Sequence, residues 1–314
     1  MQLDKTSMGA FQGKNIQDAY TREEVVCNIC GIQDEEFLFY TPERIVRCRR
    51  CGLIYNNPRL TFESLQKIYT REYFVVESND PGIDYKAYSN YIEEEPLIIR
   101  SMHRRLKKIE SLVNEKGRLL DVGCATGFSL IAAQQRGWEA EGVELSSFCV
   151  DYAHSRGLKV YQGTIKNSPG EQESFTAITM WDYLEHSTDP VGDLTACHGL
   201  LKRGGVIVLS TPNVDSWSFH LFKKNWIGFK NIDHLYYYSR KTLSTIAGMA
   251  GLSMEHSFYQ GRDVALSFFL ARLQYYIKFK PLLRLIERIA NRSVIKNISF
   301  YMNPYDILNV VLRK

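Results

Sequence analysis

The chain has 314 residues, of which 45% are hydrophobic, and it carries a formal net charge of +4 at pH 7. This length exceeds one typical domain and the apolar content is ample for a folded core, which excludes an intrinsically disordered protein. The mild charge gives little support to a nucleic-acid groove, and the absence of any apolar run of about eighteen residues excludes a membrane-spanning helix.

The chain begins with a polar segment, residues 1–24, which we expect to be a loosely held arm. This segment lacks the apolar stretch of a signal peptide, which favours a cytoplasmic protein. Residues 25–60 then contain two C-x-x-C pairs: Cys27 with Cys30, and Cys48 with Cys51.

This cysteine spacing is typical of a metal site, because each pair forms a tight turn that places two thiolates on one ion. Four thiolates suit tetrahedral zinc, so the sequence predicts a zinc ribbon, with a rubredoxin-like iron centre as the alternative. Disulfides fit less well, because three further cysteines are scattered through the chain. A region this small buries little core, so we expect the metal to supply most of its folding energy.

Residues 61–114 show apolar positions at helical spacing, and we expect a helical linker that packs across the mouth of a ligand site. The linker contains six clustered aromatic residues: Tyr69, Tyr73, Phe74, Tyr85, Tyr88 and Tyr91. Two interpretations remain open. The rings either face a cationic ligand or a substrate, or they only pack the linker against the main domain.

A buried strand, a glycine turn and a helix follow in the segment RLLDVGCATG, which starts at Arg118. Gly123 and Gly127 allow a tight turn and a close approach of a ligand to the backbone. The carboxylate of Asp121 would repel the pyrophosphate of a dinucleotide, whereas it favours the sulfonium and ammonium of S-adenosylmethionine (SAM). The third glycine of the dinucleotide fingerprint is also missing. The turn therefore predicts SAM as the cofactor.

Strands and helices then alternate along the chain, which implies a parallel sheet wrapped by helices. The second strand ends in Glu144, about twenty residues beyond the turn, where a carboxylate accepts hydrogen bonds from a ribose diol.

Residues 118–252 resemble the class I SAM-dependent methyltransferases in LLDVGCATG, GVELS, FTAITMWDYLEH, LKRGGVIVLSTPN and HLYYYSRKTL. The resemblance implies an α/β, Rossmann-like, doubly wound sheet of seven strands with an antiparallel last strand, within residues 115–314. The chain departs from the family pattern at Ala125, where glycine is usual. We expect the extra methyl group to narrow the turn without abolishing binding.

The same resemblance implies the cofactor contacts. Asp121, Gly123, Ala125 and Gly127 form the turn, and Glu144 and Leu145 flank the ribose and adenine. Thr164 and Ile165 border the adenine, and Trp181 and Asp182 face the methionine end. Leu145 and Ile165 have an alternative interpretation as ordinary core residues.

The segment NIDHLY, which starts at Asn231, resembles the acid-histidine segment of sugar methyltransferases that also carry an N-terminal zinc-binding region. That resemblance implies His234 as the catalytic base and Asp233 as its orienting partner. The tyrosine that those enzymes place before the pair is absent here, which favours methylation at oxygen over carbon. His186, after the fourth strand, is a second catalytic candidate, or it only shapes the methionine pocket.

An insertion at residues 264–302 is far longer than a hairpin needs. It is rich in apolar and basic residues, which predicts a pair of basic amphipathic helices. These helices either lie on the anionic inner face of a membrane or form a lid or dimer interface.

Together these patterns predict SAM-dependent O-methylation of a saccharide, either a nucleotide sugar or a cell-envelope glycan. The alternatives are another small-molecule acceptor, such as a natural product or a quinone-like compound, and a SAM-binding module without catalysis. Methylation of a nucleic-acid base is disfavoured, because WDYL, from Trp181, stands where the N/D-P-P-Y/F loop of such enzymes would be.

Overall fold

The computed structural model describes residues 20–75, 91–168, 170–229, 232–273 and 298–314. The predictions for the arm before residue 20, for Tyr85 and Tyr88, and for residues 230–231 and 274–297 concern residues outside this part of the chain.

The N-terminal region is built from five short strands: β1 (Arg22–Glu23), β2 (Glu35–Tyr40), β3 (Arg44–Cys48), β4 (Ile54–Asn56) and β5 (Arg59–Leu60). Strands β2, β3 and β4 form an antiparallel meander, and β1 pairs with β5. Strand β1 lies within residues 1–24, the segment that the sequence predicts to be a loosely held arm.

Within residues 61–75 and 91–114, which the structure describes, three helices follow the ribbon: α1 (Phe62–Ile68), α2 (Arg71–Phe74) and α3 (Glu95–Glu110). The hydroxyl of Thr61 caps α1 by accepting a hydrogen bond from the backbone N–H of Ser64. In α3 the apolar face buries Ile98, Leu106 and Ile109, as the helical spacing of these residues requires.

Beyond α3, the described residues form ten further strands: β6 (Arg118–Val122), β7 (Glu139–Glu144), β8 (Lys159–Gln162), β9 (Phe175–Trp181), β10 (Leu201–Pro212), β11 (Tyr236–Tyr237), β12 (Ser253–Tyr259), β13 (Arg262–Ala265), β14 (Ser299–Met302) and β15 (Ile307–Arg313). The helices among them are α4 (Phe128–Gln135), α5 (Ser147–Ser155), α6 (Pro190–Leu200), α7 (Trp217–Phe222), α8 (Arg240–Met249) and α9 (Leu266–Leu273).

The main sheet has seven strands in the order β12-β15-β10-β9-β6-β7-β8. Strand β15 is antiparallel to both β10 and β12, whereas β10, β9, β6, β7 and β8 are parallel. This confirms the predicted Rossmann-like fold with an antiparallel last strand. The parallel strands bring the segments after β6, β7 and β9 to one edge, where ligands of such sheets bind.

The cysteine ribbon shares a sheet with the main domain. Strand β11 pairs antiparallel with β4, which gives a four-stranded sheet in the order β11-β4-β3-β2. The ribbon is therefore joined by backbone hydrogen bonds to the segment that directly follows His234.

The sequence predicts helices throughout the insertion, but its two ends are strands. Strands β13 and β14 pair antiparallel with each other. Strand β13 covers Arg262–Ala265, and α9 begins only at Leu266. The membrane-surface and lid interpretations of the remaining insertion stay predictions. None of the helices in the described ranges has the length and apolarity that crossing a bilayer requires.

Candidate active site

The glycine turn after β6 adopts left-handed backbone angles at three positions. Gly123 has φ 73°, Ala125 has φ 47° and Gly127 has φ 83°. A Cβ at Gly123 would lie 2.6 Å from the ring of Tyr183, so this position also requires glycine for space. The Ala125 N–H donates to Oε2 of Glu144 at 2.9 Å, which ties the turn to the end of β7.

Asp121 is buried and has two hydroxyl partners. Thr179 Oγ1 donates to its Oδ1 at 2.6 Å, and Ser129 Oγ donates to its Oδ2. Burial raises the pKa of Asp121 to about 6. Both hydroxyl groups point at the carboxylate from neighbouring elements, so its orientation is fixed before any ligand arrives.

Glu144 is buried at the adjacent strand end. Its Oε1 accepts from the Ser146 N–H at 2.8 Å, so the carboxylate is held by backbone donors on both sides. Burial raises its pKa, although these backbone donors favour the charged form.

A cavity of about 930 Å³ opens at this edge of the sheet. Most of the predicted cofactor and catalytic residues line it: Asp121, Gly123, Ala125, Glu144, Leu145, Thr164, Ile165, Trp181, Asp182, His186 and His234. Gly127 and Asp233 are not in the lining. Gly127 instead starts α4, where a Cβ would lie 2.5 Å from Leu158. Ile165 is also part of the buried core, so both interpretations of that residue apply.

Arg105 of α3 lines the same cavity, and the sequence patterns did not indicate it. Its side chain is buried and stacks on Trp181, with Cζ 4.6 Å from the ring centroid. Within the described part of the chain, its Nε has no hydrogen-bond partner. A buried guanidinium with an unused donor favours an incoming carboxylate. Only the period of α3 could have indicated that this arginine faces inward.

Asp182 follows β9 in a left-handed conformation with φ 49°. Ser210 Oγ donates to its Oδ1 at 2.8 Å, and the Asp182 N–H donates to the backbone carbonyl of Ser210 at 3.0 Å. These contacts position Asp182 beside Trp181 in the cavity wall.

A cluster of two histidines and one aspartate lies at the other side of the cavity. The rings of His186 and His234 are 4.7 Å apart between centroids. The carboxylate of Asp233 lies 3.3 Å from Nδ1 of His186 and accepts from the Tyr73 hydroxyl at 2.8 Å. Tyr69 adds its hydroxyl at 3.1 Å from the same His186 nitrogen.

The two histidines have opposite electrostatic environments. Burial disfavours the charged form of His186, but the carboxylate of Asp233 outweighs this effect and raises its pKa to about 9. Burial and the neighbouring His186 lower the pKa of His234 to about 4. Burial opposes the charge on Asp233 as well, and His186 nevertheless holds its pKa well below the ordinary value. At neutral pH His186 is therefore a cation and His234 is neutral.

The structure differs from the prediction that Asp233 orients His234. The Asp233 carboxylate lies 3.3 Å from Nδ1 of His186, and each of these groups favours the charged form of the other. Nδ1 of His234 lies 3.1 Å from the carbonyl oxygen of Gly228. A carbonyl only accepts, so the proton is on Nδ1 and the lone pair of His234 is on Nε2.

The chain matches the Methyltransferase domain family over residues 91–257. It belongs to this family. The matched range contains the glycine turn and the strand-end acids, which suit SAM as the methyl donor.

This methyltransferase is similar to two curated relatives. A ubiquinone biosynthesis O-methyltransferase of Alkalilimnicola ehrlichii is 31% identical over 112 residues, which are 33% of this chain and 45% of that protein. One of Coxiella burnetii is 34% identical over 116 residues, which are 35% of this chain and 50% of that protein. The chain thus spans about half the length of the curated relatives it matches.

Two solved structures are also similar to the methyltransferase. A possible histamine N-methyltransferase of Thermotoga maritima has a TM-score of 0.44 and 19% identity, with coverage of 71% of this chain and 92% of that chain. A SAM-dependent methyltransferase of Archaeoglobus fulgidus has a TM-score of 0.46 and 17% identity, with coverage of 71% and 99%.

The four cysteines of the methyltransferase come together as the spacing predicts. Their sulfurs all lie within 4.8 Å of one another, with Cys27 and Cys51 3.5 Å apart and Cys30 and Cys48 3.8 Å apart. Four sulfurs at about 2.3 Å from a tetrahedral ion are about 3.8 Å apart, so these residues fit a thiolate-bound metal. Both distances are far longer than the ~2.05 Å of a disulfide.

Proposed function

We propose that this methyltransferase transfers a methyl group from SAM to a hydroxyl oxygen of a small, quinone-like acceptor, with His234 as the base. The carrying observation is the placement of His234 beside His186 at the cavity wall, with the carboxylate of Asp233 3.3 Å from Nδ1 of His186. Methylation of oxygen requires removal of a proton, and a positioned histidine supplies about 10²–10⁴-fold in rate through such a step.

The residues of the glycine turn and the strand ends are suited to bind the cofactor. The Glu144 carboxylate suits the ribose hydroxyls, Asp121 suits the ammonium, and the unused donor of Arg105 suits the carboxylate of SAM. The bound cofactor supplies a methyl group that is activated by its sulfonium. The task of the protein is then to align the acceptor oxygen and to exclude water.

In the proposed transfer the acceptor oxygen forms a bond to the methyl carbon, the carbon–sulfur bond breaks, and its electron pair stays on sulfur. The hydroxyl proton passes to Nε2 of His234. His186 is already charged, so it stabilises negative charge on the acceptor oxygen and does not compete for the proton.

The electrostatics favour a phenolic acceptor over a sugar. A base with a pKa near 4 is weak, and a phenolic hydroxyl, with a pKa of about 10, releases its proton far more readily than an alkyl hydroxyl. The acceptor side of the cavity is also aromatic, with Trp217, Phe222, Trp226, Phe268 and Phe269 in its wall. The relatives named above are O-methyltransferases of ubiquinone biosynthesis, whereas the saccharide acceptor expected from the acid-histidine segment gains no support from them.

A panel of acceptors with methyl-labelled SAM tests this function. Catechols and hydroquinones with apolar substituents should become labelled, with the label in a methyl ether by mass spectrometry. Nucleotide sugars should remain unlabelled under the same conditions. Labelling of sugars alone would contradict the phenolic acceptor, and labelling at carbon would contradict methylation at oxygen.

We also infer that the four cysteines hold zinc. Their sulfur spacing suits a tetrahedral ion, and four protein ligands leave no open position for a catalytic water, so the role of this ion is structural. Elemental analysis of the purified protein should find about one zinc per chain, whereas an equivalent amount of iron would support the rubredoxin-like alternative.

A further inference from the structure

Asn56, at the end of β4, contacts the backbone of the proposed base. Its side chain is fully buried, and its Nδ2 donates to the carbonyl oxygen of His234 at 2.8 Å. Its backbone N–H donates to the carbonyl oxygen of Leu235 at 3.0 Å. A single ribbon residue therefore holds two consecutive peptide groups of the catalytic segment, from a position 178 residues away in the chain.

Strand β4 is connected to the cysteine cluster by a short, hydrogen-bonded turn. The Cys48 N–H donates to the carbonyl oxygen of Leu53 at 2.9 Å, and the Gly52 N–H donates to that of Cys48 at 3.0 Å. Strand β4 starts one residue after Leu53, and its Tyr55 is the register partner of Tyr236. The path from a sulfur ligand to His234 thus consists of one turn and one short strand.

Arg59 makes a second connection between the ribbon and the site. Its Nη1 donates to the Tyr236 hydroxyl at 2.5 Å and to the carbonyl oxygen of Thr188 at 2.9 Å. Thr188 follows His186 by two residues, so the ribbon donates hydrogen bonds to the segment of His186 and to the segment of His234. The Leu235 N–H completes the arrangement by donating to the carbonyl oxygen of Glu185 at 2.7 Å.

We propose that the cysteine ribbon positions His234 for proton transfer, that Asn56 is the positioning residue, and that occupancy of the four cysteines controls this placement. Gly228 fixes the rotation of the imidazole through Nδ1, while Asn56 fixes the backbone that carries it. A displacement of about 1 Å at a reacting group costs about 10²-fold in rate, so the register of β4 against β11 governs turnover. This inference rests on the proposed function in taking His234 as the proton acceptor.

The test compares Asn56→Ala with Asn57→Ala in the full-length, metal-loaded protein. Asn57 is also buried, but its side chain binds Val25 and Glu35 within the ribbon. Asn56→Ala should lower kcat by about 10–10²-fold with little change in KM, because alignment of the base is lost. Asn57→Ala should keep kcat near the wild-type value. Equal losses in both variants would show that Asn56 acts only through ribbon stability.

A second readout needs no acceptor. Diethyl pyrocarbonate modifies the unprotonated nitrogen of a neutral histidine, and peptide mass spectrometry gives the rate at His234 alone. Asn56→Ala and Asn56→Leu should both change this rate several-fold, since neither side chain can donate to the His234 carbonyl, while Asn57→Ala should not. Asn56→Leu keeps the approximate size of the side chain, so it serves if the alanine variant does not fold.

Removal of the ion from the wild-type protein by a chelator tests the link to the cysteines. The modification rate at His234 should change in step with the ion released, and an unchanged rate after complete release would overturn the inference. If no acceptor in the panel is methylated by the wild-type enzyme, the proposed function fails, yet the three modification rates still decide whether Asn56 positions His234.

Discussion

The cofactor half of the cavity and the histidine cluster are built in different ways. Asp121 lies in β6, the glycine turn follows that strand, and Glu144 ends β7, so the three lie within 24 residues of sequence. The histidine cluster instead combines the linker tyrosines, the segment after β9, the segment before β11 and a ribbon strand. A local motif can therefore provide the predicted cofactor site, while the proposed proton transfer requires contacts between distant segments.

The largest expected effect separates these two halves. His234→Gln should lower kcat by about 10²–10⁴-fold, because the proton acceptor is lost. The SAM dissociation constant from calorimetry should stay within about twofold, since His234 does not belong to the cofactor half. His154→Gln is the matched control, because His154 is exposed on α5. Retained turnover in His234→Gln would contradict the proposal that the histidine cluster performs proton transfer separately from cofactor binding.

The ion pair of the histidine cluster makes stability depend on pH. The pKa of His186 is raised to about 9, so its contribution is complete below pH ~6.5 and is lost as the pH rises through 9. We expect the wild-type free energy of unfolding to fall by about 3 kcal/mol over this window relative to Asp233→Asn, measured by urea denaturation. Asp151→Asn, at an exposed position of α5, should follow the wild-type curve. Parallel curves for the wild type and Asp233→Asn would contradict the ion pair.

The cofactor half has its own test at Glu144. Glu144→Gln should weaken SAM binding by about 10–10²-fold, because charge-assisted hydrogen bonds to the ribose are replaced by neutral ones. Glu139→Gln, at the exposed start of the same strand β7, should leave the affinity unchanged. At saturating SAM, kcat of Glu144→Gln should return close to the wild-type value. A kcat that stays low would mean that the two halves are coupled.

The smallest effect is expected at Ala125, where the family usually has glycine. Alanine at φ 47° is strained, and Ala125→Gly should relieve this strain at the cost of a more flexible unfolded chain. The net change in unfolding free energy should be below about 1 kcal/mol, and the SAM affinity should change by less than about threefold. A large loss of affinity would show that the methyl group of Ala125 contacts the cofactor.

The sequence predicts the sheet, the cofactor turn and the cysteine cluster because each depends on residues that are close in the chain. Asp121 and Gly123 are part of one strand and turn, and each cysteine pair is a single knuckle. By contrast, Arg105 lies in a helix whose inward face contains both apolar and basic residues, so its role cannot be seen before the helix is packed.

The same reason explains the difference at Asp233. Its neighbour His234 is adjacent in sequence, and the resemblance therefore paired the two residues. The choice of His186 depends on the fold, which buries the carboxylate beside a histidine 47 residues away. The contact of Asn56 with His234 could not be predicted from the sequence either, because pairing of β4 with β11 joins regions that the sequence presents as separate domains.

The most direct test of the account is a titration of the histidine side chains by nitrogen-15 NMR, with His186→Gln and His234→Gln to assign the signals. The account predicts that His186 titrates near pH 9 and that His234 stays neutral, with its proton on Nδ1, down to about pH 4. Titration of both side chains near pH ~6.5, or a His234 that is charged at neutral pH, would contradict the assignment of His234 as the base.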